Sequence, residues 1–313
     1  MTNISVVIPV YRSEGCLREL CRRLKDSLEK IADNFEIIMV EDCGGDGSWG
    51  VILELAGSDS RVKGIQLNRN FGQHNAILCG INQARYDIIV TMDDDLQHPP
   101  EEIAKLVNKL SEGYDVVYGI PAKLQHSSWR NSMTNITKFI LLRTMDVKTI
   151  FNISPFRVFR SIFKETFSNY HGSFVSIDVL LSWGTSSFAS VPVWHDQRLN
   201  GASNYSLRKL ITHTFNIITG FSTFPLQLAS LMGFVFTVFG ISVLAYILGI
   251  YVIFGLGSKV PGFAFLASIV TIFSGVQLFT LGIIGEYISR IYFRVTQKPP
   301  YVVHALSDSL RRP

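Results

Sequence analysis

Charge is nearly missing from one long stretch of this 313-residue chain. Between residues 210 and 285 the only formally charged side chain is Lys259, which lies in the turn-like sequence GLGSKVPG of residues 255–262. The apolar segments 226–254 and 263–285 each reach the roughly 20 residues that are needed to cross a bilayer. We therefore predict two transmembrane helices that form a hairpin. A buried helical pair in a soluble protein is the alternative, but nothing else in the chain covers so much apolar surface.

Signals for several other classes of protein are also absent. No charged leader precedes the short apolar run of residues 4–10, so we expect no signal peptide and a cytosolic amino-terminal domain. The first turn contains neither the dinucleotide fingerprint G-x-G-x-x-G nor a P-loop, so a nucleotide would be held by other means. The cysteines lack paired metal-type spacing, and a cytosolic setting predicts that all are free thiols: Cys16, Cys21, Cys43 and Cys79.

Basic residues are concentrated in the carboxy-terminal third of the chain. Residues 205–313 contain eight lysines and arginines against two acidic residues, a balance of +6, and since the whole chain carries +4, residues 1–204 carry −2. Basic residues flank both outer ends of the predicted hairpin, whereas its turn has one, so the positive-inside rule places both termini in the cytoplasm. Residues 205–225 include an amphipathic segment that suits the headgroup layer or, alternatively, a protein core.

The first 204 residues alternate between apolar runs and amphipathic stretches. The apolar runs predict strands at residues 4–10, 35–40, 62–67, 88–92 and 116–118. Helices are expected between them, near residues 17–31, 48–56, 72–84 and 100–111. This alternation indicates a doubly wound α/β sheet with helices on both faces, in which ligands bind beyond the carboxyl ends of the strands.

One of these strands ends in three consecutive carboxylates, Asp93, Asp94 and Asp95, which are followed by Gln97. Adjacent carboxylates repel one another, and Mg²⁺ or Mn²⁺ would relieve the repulsion because these cations prefer carboxylate and amide oxygens. Considered alone, the stretch also fits a solvated acidic turn. Polar residues follow the other strand ends on this edge, which predicts one common crevice: Tyr11, Glu14, Asp42, Arg69 and Asn70.

The chain resembles family 2 inverting glycosyltransferases in six motifs: VVIPVYRSE (6–14), VEDCGGDGS (40–48), RNFGQHNA (69–76), DDDLQHPPE (93–101), R-x-x-G-x-S (198–203) and LGIIGEYISRIY (281–292). It looks most like the branch that loads sugars onto polyprenyl phosphates, the bactoprenol glycosyltransferases and dolichol-phosphate mannose synthases. The resemblance implies a GT-A type, Rossmann-like domain with a mostly parallel sheet, here followed by the hairpin. The expected domains are a catalytic domain (1–204), the amphipathic segment (205–225), two transmembrane helices (226–288) and a basic tail (289–313).

The resemblance also implies roles for residues at matching positions. Pro9, Tyr11, Glu14, Val40 and Asp42 would hold the nucleoside, Asp93 and Asp94 would line the nucleotide pocket, and Asp95 and Gln97 would bind Mg²⁺ or Mn²⁺. Arg198 and Ser203 would grip the diphosphate or the acceptor phosphate, so Asp95, Arg198 and Ser203 would be catalytic. An ionised lipid phosphate would attack the anomeric carbon with inversion, while the cation and Arg198 stabilise the leaving diphosphate.

The sequence thus predicts an enzyme that transfers a sugar from a nucleotide sugar to undecaprenyl phosphate. UDP is favoured because Asp42 can pair with a uracil edge, and the expected location is the cytoplasmic face of a bacterial inner membrane, in a multi-pass protein that serves cell-envelope glycans such as O-antigen. Small residues in the spans predict homo-oligomers, and no nucleic-acid partner is expected. The alternatives are a membrane glycosyltransferase with another lipid or polysaccharide acceptor and a non-catalytic protein that binds nucleotide sugars.

Two motifs depart from the family pattern. Residues 154–157 read SPFR where many relatives have G-D-F-R, so Pro155 replaces an acid that is a candidate base in those relatives. Residues 42–48 read DCGGDGS in place of the commoner D-D-G-S-x-D. We expect His98 to be a solvated loop residue, and His74 and His195 lack the spacing of a zinc site.

Overall fold

The computed structural model describes residues 2–122, 153–168, 175–196, 224–254, 262–296 and 299–311. The chain divides into two compact units, and the first is discontinuous. It comprises Met1–Lys209 and Gln297–Pro313, whereas the second comprises Leu210–Thr296. The predicted site residues Arg198 and Ser203, and nearly all of the predicted amphipathic segment, lie outside the described residues.

The described part of the first unit is built on an eight-stranded mixed sheet with the order β7-β5-β6-β4-β1-β2-β3-β8. The strands are β1 (Asn3–Val10), β2 (Asn34–Glu41), β3 (Val62–Leu67), β4 (Ile88–Thr91), β5 (Val116–Pro121), β6 (Arg157–Arg160), β7 (Phe188–Val193) and β8 (Val303–Leu306). Most neighbouring pairs are parallel: β1 with β2 and β4, β2 with β3, and β5 with β7. Strands β6 and β8 run antiparallel to their neighbours. The predicted α/β class with a mostly parallel sheet is confirmed.

Helices alternate with the first five strands, as predicted. They are α1 (Leu17–Leu28), α2 (Ser48–Ser58), α3 (Gln73–Gln83) and α4 (Ile103–Ser111), and α4 is preceded by a 3₁₀ turn (Pro100–Glu102). Two shorter helices follow, α5 (Lys164–Ser168) and α6 (Ile177–Gly184). Helix α1 shows why the spacing of apolar residues predicts these helices. It buries apolar side chains at helical spacing against the sheet: Leu17, Leu20, Cys21, Leu24 and Leu28.

An edge strand near the carboxyl terminus completes the sheet, and the sequence analysis did not predict it. Strand β8 pairs antiparallel with β3 and is followed by a short helix, α9 (Asp308–Arg311). The Ser307 amide donates to the Gly64 carbonyl and the Gly64 amide donates to the Ser307 hydroxyl, both at 2.9 Å. The Asn82 side-chain amide donates to the Tyr301 hydroxyl at 3.0 Å. Part of the expected basic tail is therefore integrated into the catalytic sheet.

The second unit contains two long apolar helices, α7 (Phe224–Phe254) and α8 (Gly262–Val295). They contact each other through the rings of Phe236 and Phe273, whose centroids lie 6.0 Å apart. Within the described residues, one segment of α8, Ile272–Tyr292, is long and apolar enough to cross a membrane, and a shorter apolar segment, Leu226–Ser242, lies in α7. The expected transmembrane hairpin is thus not confirmed by these criteria.

Candidate active site

The loop after β4 places three acidic side chains at the carboxyl edge of the sheet. Leu96 adopts a left-handed conformation (φ 61°), and its buried side chain belongs to the hydrophobic core. This conformation costs a non-glycine residue on the order of 1 kcal/mol, which burial of the leucine side chain offsets. The turn brings the Gln97 amide within 3.1 Å of an Asp95 carboxylate oxygen, to which it donates. The two predicted metal ligands therefore lie in one tight turn.

Asp94 joins the β4 loop to the loop after β1. One of its carboxylate oxygens accepts hydrogen bonds from the Tyr11 amide at 3.0 Å and from the Ser13 hydroxyl at 2.5 Å. Burial raises the pKa of Asp94, although these two hydrogen bonds act in the opposite direction. The carboxylate thus fixes the position of Tyr11, the aromatic residue that was predicted to contact the nucleoside.

Asp42 makes the corresponding link between β2 and β3. Its two carboxylate oxygens accept the amides of Phe71 and Gly72 at 2.7 and 2.8 Å, and only 3% of the residue is exposed. Burial raises the pKa of Asp42, and the two backbone hydrogen bonds partly oppose that increase. Gly72 needs its positive φ of 92° to present its amide here. The Asp42 carboxylate has further lone pairs, which leaves it able to accept from a nucleotide base. That pairing stays a prediction.

The β1 and β2 loops also hold each other. The Gly47 amide donates to the Glu14 carboxylate at 3.1 Å, and the Arg12 side chain donates to the Gly44 carbonyl at 2.9 Å. A Cβ atom at Gly44 would lie 2.8 Å from the Arg12 backbone nitrogen, so this close approach requires glycine. Pro9 and Val40, two further predicted nucleoside contacts, are directly opposite each other in the β1–β2 register.

Asp93 completes the connection around the crevice, because the Gln73 side chain at the start of α3 donates to it at 2.6 Å. Hydrogen bonds therefore connect the four strand ends that the sequence placed together. The residues that the structure brings to this edge are Pro9, Tyr11, Glu14, Val40, Asp42, Asp93, Asp94, Asp95 and Gln97.

The donor set of this loop suits Mg²⁺ or Mn²⁺ bound together with a substrate. Asp93, Asp95 and Gln97 are partly exposed and offer hard oxygen ligands. Among the described residues, no group of three or more His, Cys, Asp or Glu side chains is arranged to hold a metal alone. Magnesium is typically bound by one or two carboxylates, with waters and substrate phosphates completing its shell, so the residues fit such an ion.

The expectation that His98 is solvated was wrong. Only 6% of the residue is exposed, and its ring contacts those of Phe156 and His195, at centroid distances of 5.3 and 4.9 Å. Burial lowers the pKa of His98 to about 4, so the ring is neutral at pH 7. Its Nδ1 atom is buried and has no hydrogen-bond partner among the described residues.

The SPFR element contributes a buried ionic cluster that sequence reasoning missed. Arg157 is 1% exposed and forms an ion pair with Asp178 on α6, and it donates to the Thr91 hydroxyl at 3.0 Å. The Tyr118 hydroxyl donates to Asp178 at 2.9 Å. A buried arginine requires an acidic partner, but the sequence alone could not identify which acid supplies it. The Pro155 carbonyl accepts a hydrogen bond from the Thr91 hydroxyl at 2.9 Å.

All four cysteines are free, as predicted. A sheet that is mostly parallel, with acidic residues gathered at its carboxyl edge, is the arrangement of a GT-A-like α/β fold. The comparisons agree with this class. Residues 5–167 match the family described as Glycosyl transferase family 2.

Two curated relatives extend the similarity beyond that domain, and both are undecaprenyl-phosphate 4-deoxy-4-formamido-L-arabinose transferases. The protein of Pseudomonas aeruginosa (strain LESB58) is 35% identical over 301 residues, which cover 96% of this chain and 89% of the relative. The protein of Shewanella sediminis is 36% identical over 96% of this chain and 91% of its own length. The chain belongs to glycosyl transferase family 2.

A solved structure shows the same fold at low sequence identity. Glucosyl-3-phosphoglycerate synthase from Mycobacterium tuberculosis, crystallised with Mn²⁺, UDP-glucose and phosphoglyceric acid, superimposes with a TM-score of 0.50 and 15% identity. The match covers 70% of this chain and 78% of the synthase. The protein is therefore a glycosyltransferase with a GT-A-like domain.

Proposed function

We propose that this protein transfers a sugar from a nucleotide sugar, with UDP as the nucleotide, to undecaprenyl phosphate. The observation that carries the proposal is the hydrogen-bonded convergence of four strand ends around Asp95 and Gln97, in a chain that aligns over 96% of its length with undecaprenyl-phosphate sugar transferases. The structural neighbour with the same fold was crystallised with a UDP-sugar, which favours that donor class.

The reaction requires little proton transfer from the protein. A phosphate monoester is already largely ionised near pH 7, so it attacks the anomeric carbon as a ready nucleophile and inverts that centre. This chemistry fits the presence of Pro155 at the position of the family's acid. The contact that the structure gives for Pro155 is a hydrogen bond that its carbonyl accepts from the Thr91 hydroxyl. A general base is therefore dispensable for this acceptor.

Stabilisation of the leaving group is the main catalytic requirement. Asp95 and Gln97 would hold a divalent cation that offsets the negative charge developing on the departing diphosphate. Asp94 and Asp42 keep Tyr11 and the loop after β3 in place for the nucleoside, through the hydrogen bonds described above. Arg198 and Ser203 complete the proposal as phosphate-binding residues, since a guanidinium pairs well with phosphate oxygens.

The discontinuous first unit supports a membrane hairpin with the catalytic domain and both termini in the cytoplasm. Strand β8 follows the helical unit in the chain, yet it pairs with β3, which precedes that unit. If the helices cross a membrane, this pairing favours an even number of crossings, because it keeps the segments on either side of the helical unit together. Together with the basic residues outside the hairpin, this arrangement favours two spans over one.

A transfer assay tests the proposal. The purified protein in detergent is incubated with Mn²⁺, undecaprenyl phosphate and a panel of radiolabelled UDP- and GDP-sugars that includes the UDP-linked formamido-arabinose, and lipid-extractable label is counted. We expect transfer from one UDP-sugar, loss of transfer with EDTA, and at least an about hundredfold lower rate for Asp95→Asn. Asp87→Asn is the matched control, because this exposed aspartate precedes the same strand at its opposite end.

Each result has a distinct meaning. Normal turnover by Asp95→Asn would remove the metal assignment. Transfer to a polysaccharide or to another lipid, with none to undecaprenyl phosphate, would favour a different membrane glycosyltransferase. Binding of nucleotide sugars without transfer to any acceptor would favour a non-catalytic sensor.

A further inference from the structure

The segment that follows β7 is hydrogen-bonded to the loop that follows β4. The Asp196 amide donates to the Gln97 carbonyl at 2.9 Å, and the Trp194 amide donates to the Glu102 carboxylate at 3.2 Å. The Trp194 indole also donates to the Asp196 carboxylate at 2.8 Å, which stiffens the segment. We call residues 97–102 and 194–196 together the loop junction.

The rings of His98 and His195 form the side-chain part of the loop junction. Their centroids are 4.9 Å apart, and the Phe156 ring lies 5.3 Å from that of His98. The buried Nδ1 atom of His98 has no partner among the described residues, which lowers stability relative to a satisfied group. An apolar side chain would avoid this cost, so the position carries a histidine at the expense of stability, as functional positions often do.

Gln97 connects the loop junction to the proposed metal site. Its side chain is a predicted cation ligand, whereas its backbone carbonyl holds Asp196, and Arg198 follows two residues later in the sequence. A small rotation of the Gln97 peptide on ligand binding would therefore be passed directly to the segment 194–196. The contact between the His98 and His195 rings joins the same two segments next to this hydrogen bond.

We propose that His98 and His195 are positioning residues that couple occupancy of the Asp95–Gln97 loop to the segment leading to Arg198. The inference rests on the proposed function, since it needs a nucleotide and a cation at that loop. It assigns no metal ligation to the histidines, in keeping with the lack of a group of three or more metal-binding side chains in the described residues. Displacements of about 1 Å at such sites cost up to a hundredfold in rate, so a modest contact has a measurable effect.

The test follows Trp194, which lies within the loop junction and is exposed. Full-length protein containing 5-fluorotryptophan is titrated in detergent with UDP and diamagnetic Mg²⁺, and the fluorine resonance of Trp194 is assigned with Trp194→Phe. We expect the Trp194 resonance to shift in the wild type, while that of Trp183 on α6 serves as the reference. In His195→Ala we expect most of the shift to disappear, with UDP affinity by calorimetry unchanged within about threefold.

Conservative replacement separates coupling from simple structural damage. His195 is exposed, so His195→Ala retains the fold, and His195→Phe keeps the ring contact. We expect His195→Phe to restore the shift and His195→Ala to lower kcat/KM about tenfold. His98→Ala provides the reciprocal variant, and His304→Ala, on the exposed face of β8, is the matched control.

The outcomes distinguish this inference from the proposed function. Binding of Mg²⁺ and UDP without any shift of Trp194, or a full shift in His195→Ala, would overturn the coupling and leave the transferase proposal standing. Failure of the wild type to bind UDP with Mg²⁺ would overturn both.

Discussion

Replacing Asp94 by alanine should destabilise the first unit. The Asp94 carboxylate accepts two hydrogen bonds from the β1 loop, from the Tyr11 amide and the Ser13 hydroxyl. The Asp94 side chain therefore ties the ends of β1 and β4 together.

The magnitude follows from the two hydrogen bonds. A hydrogen bond to a charged group contributes about 1.5–3 kcal/mol, but Tyr11 is exposed, so water can replace part of its bond. Burial also raises the pKa of Asp94, which shows that the environment opposes its charge. We therefore expect Asp94→Ala to lower the free energy of unfolding by about 2–3 kcal/mol, and Ser13→Ala, which removes one of the two bonds to Asp94, by about half as much.

The native cysteines provide the assay. Cys21 and Cys79 are buried, and burial raises the pKa of Cys79 to about 12, so both thiols react only when the structure opens. The rate of alkylation at pH 8, measured for each peptide by mass spectrometry, then reports the open population. A loss of 2–3 kcal/mol should raise both rates about 30- to 150-fold, while exposed Cys43 reacts at an unchanged rate.

Equal labelling rates for wild type and Asp94→Ala would refute the structural role that we assign to Asp94. A large increase in Asp87→Ala, at the exposed aspartate before the same strand, would be equally damaging, because the effect would then not depend on the Asp94 hydrogen bonds. The expected pattern is faster labelling for Asp94→Ala, an intermediate rate for Ser13→Ala and no change for Asp87→Ala.

Two further predictions concern the membrane and pH. The introduced cysteine of Ser258→Cys, in the predicted turn of the hairpin, should react with a membrane-impermeant maleimide in intact cells. Cys43 should react only after permeabilisation. If both cysteines react only after permeabilisation, the hairpin is contradicted. The hydrogen bond from Arg61, together with Lys25, keeps the pKa of Asp59 below its usual range. Asp59 therefore stabilises the fold above about pH 4, and this stabilisation is lost as the pH falls through the lowered pKa. Asp59→Asn should therefore cost about 1 kcal/mol at pH 7, with the difference from wild type narrowing under acidic conditions, and a constant difference would exclude this ion pair as the cause.

The strands that carry the site were predictable because they are buried on both faces. Residues 4–10 of β1 are all buried, and such a strand appears in the sequence as a continuous apolar run. The polar residue that ends each run then marks the edge of the sheet. This reasoning located Tyr11, Asp42 and Asp95 at one edge, and the structure confirms that placement.

The remaining features depend on contacts between distant parts of the chain. His98 follows acidic residues and was therefore expected to be solvated, but Phe156, 58 residues later, packs against it. Strand β8 has exposed or partly exposed side chains, so its pairing with β3 comes from backbone hydrogen bonds that leave no apolar pattern in the sequence. The partner of Arg157 was likewise hidden, because Asp178 reaches it only once β6 and α6 are packed.

The three adjacent aspartates also need a different explanation from the one that the sequence suggested. Their repulsion was expected to be relieved by a cation, yet protein groups already accommodate two of them: Gln73 donates to Asp93, and Ser13 and the Tyr11 amide donate to Asp94. Hydrogen bonds within the protein therefore hold Asp93 and Asp94 in this loop. A cation bound at Asp95 and Gln97 would act instead on the charge that the substrate brings, which is where a sugar diphosphate donor has the greatest need of it.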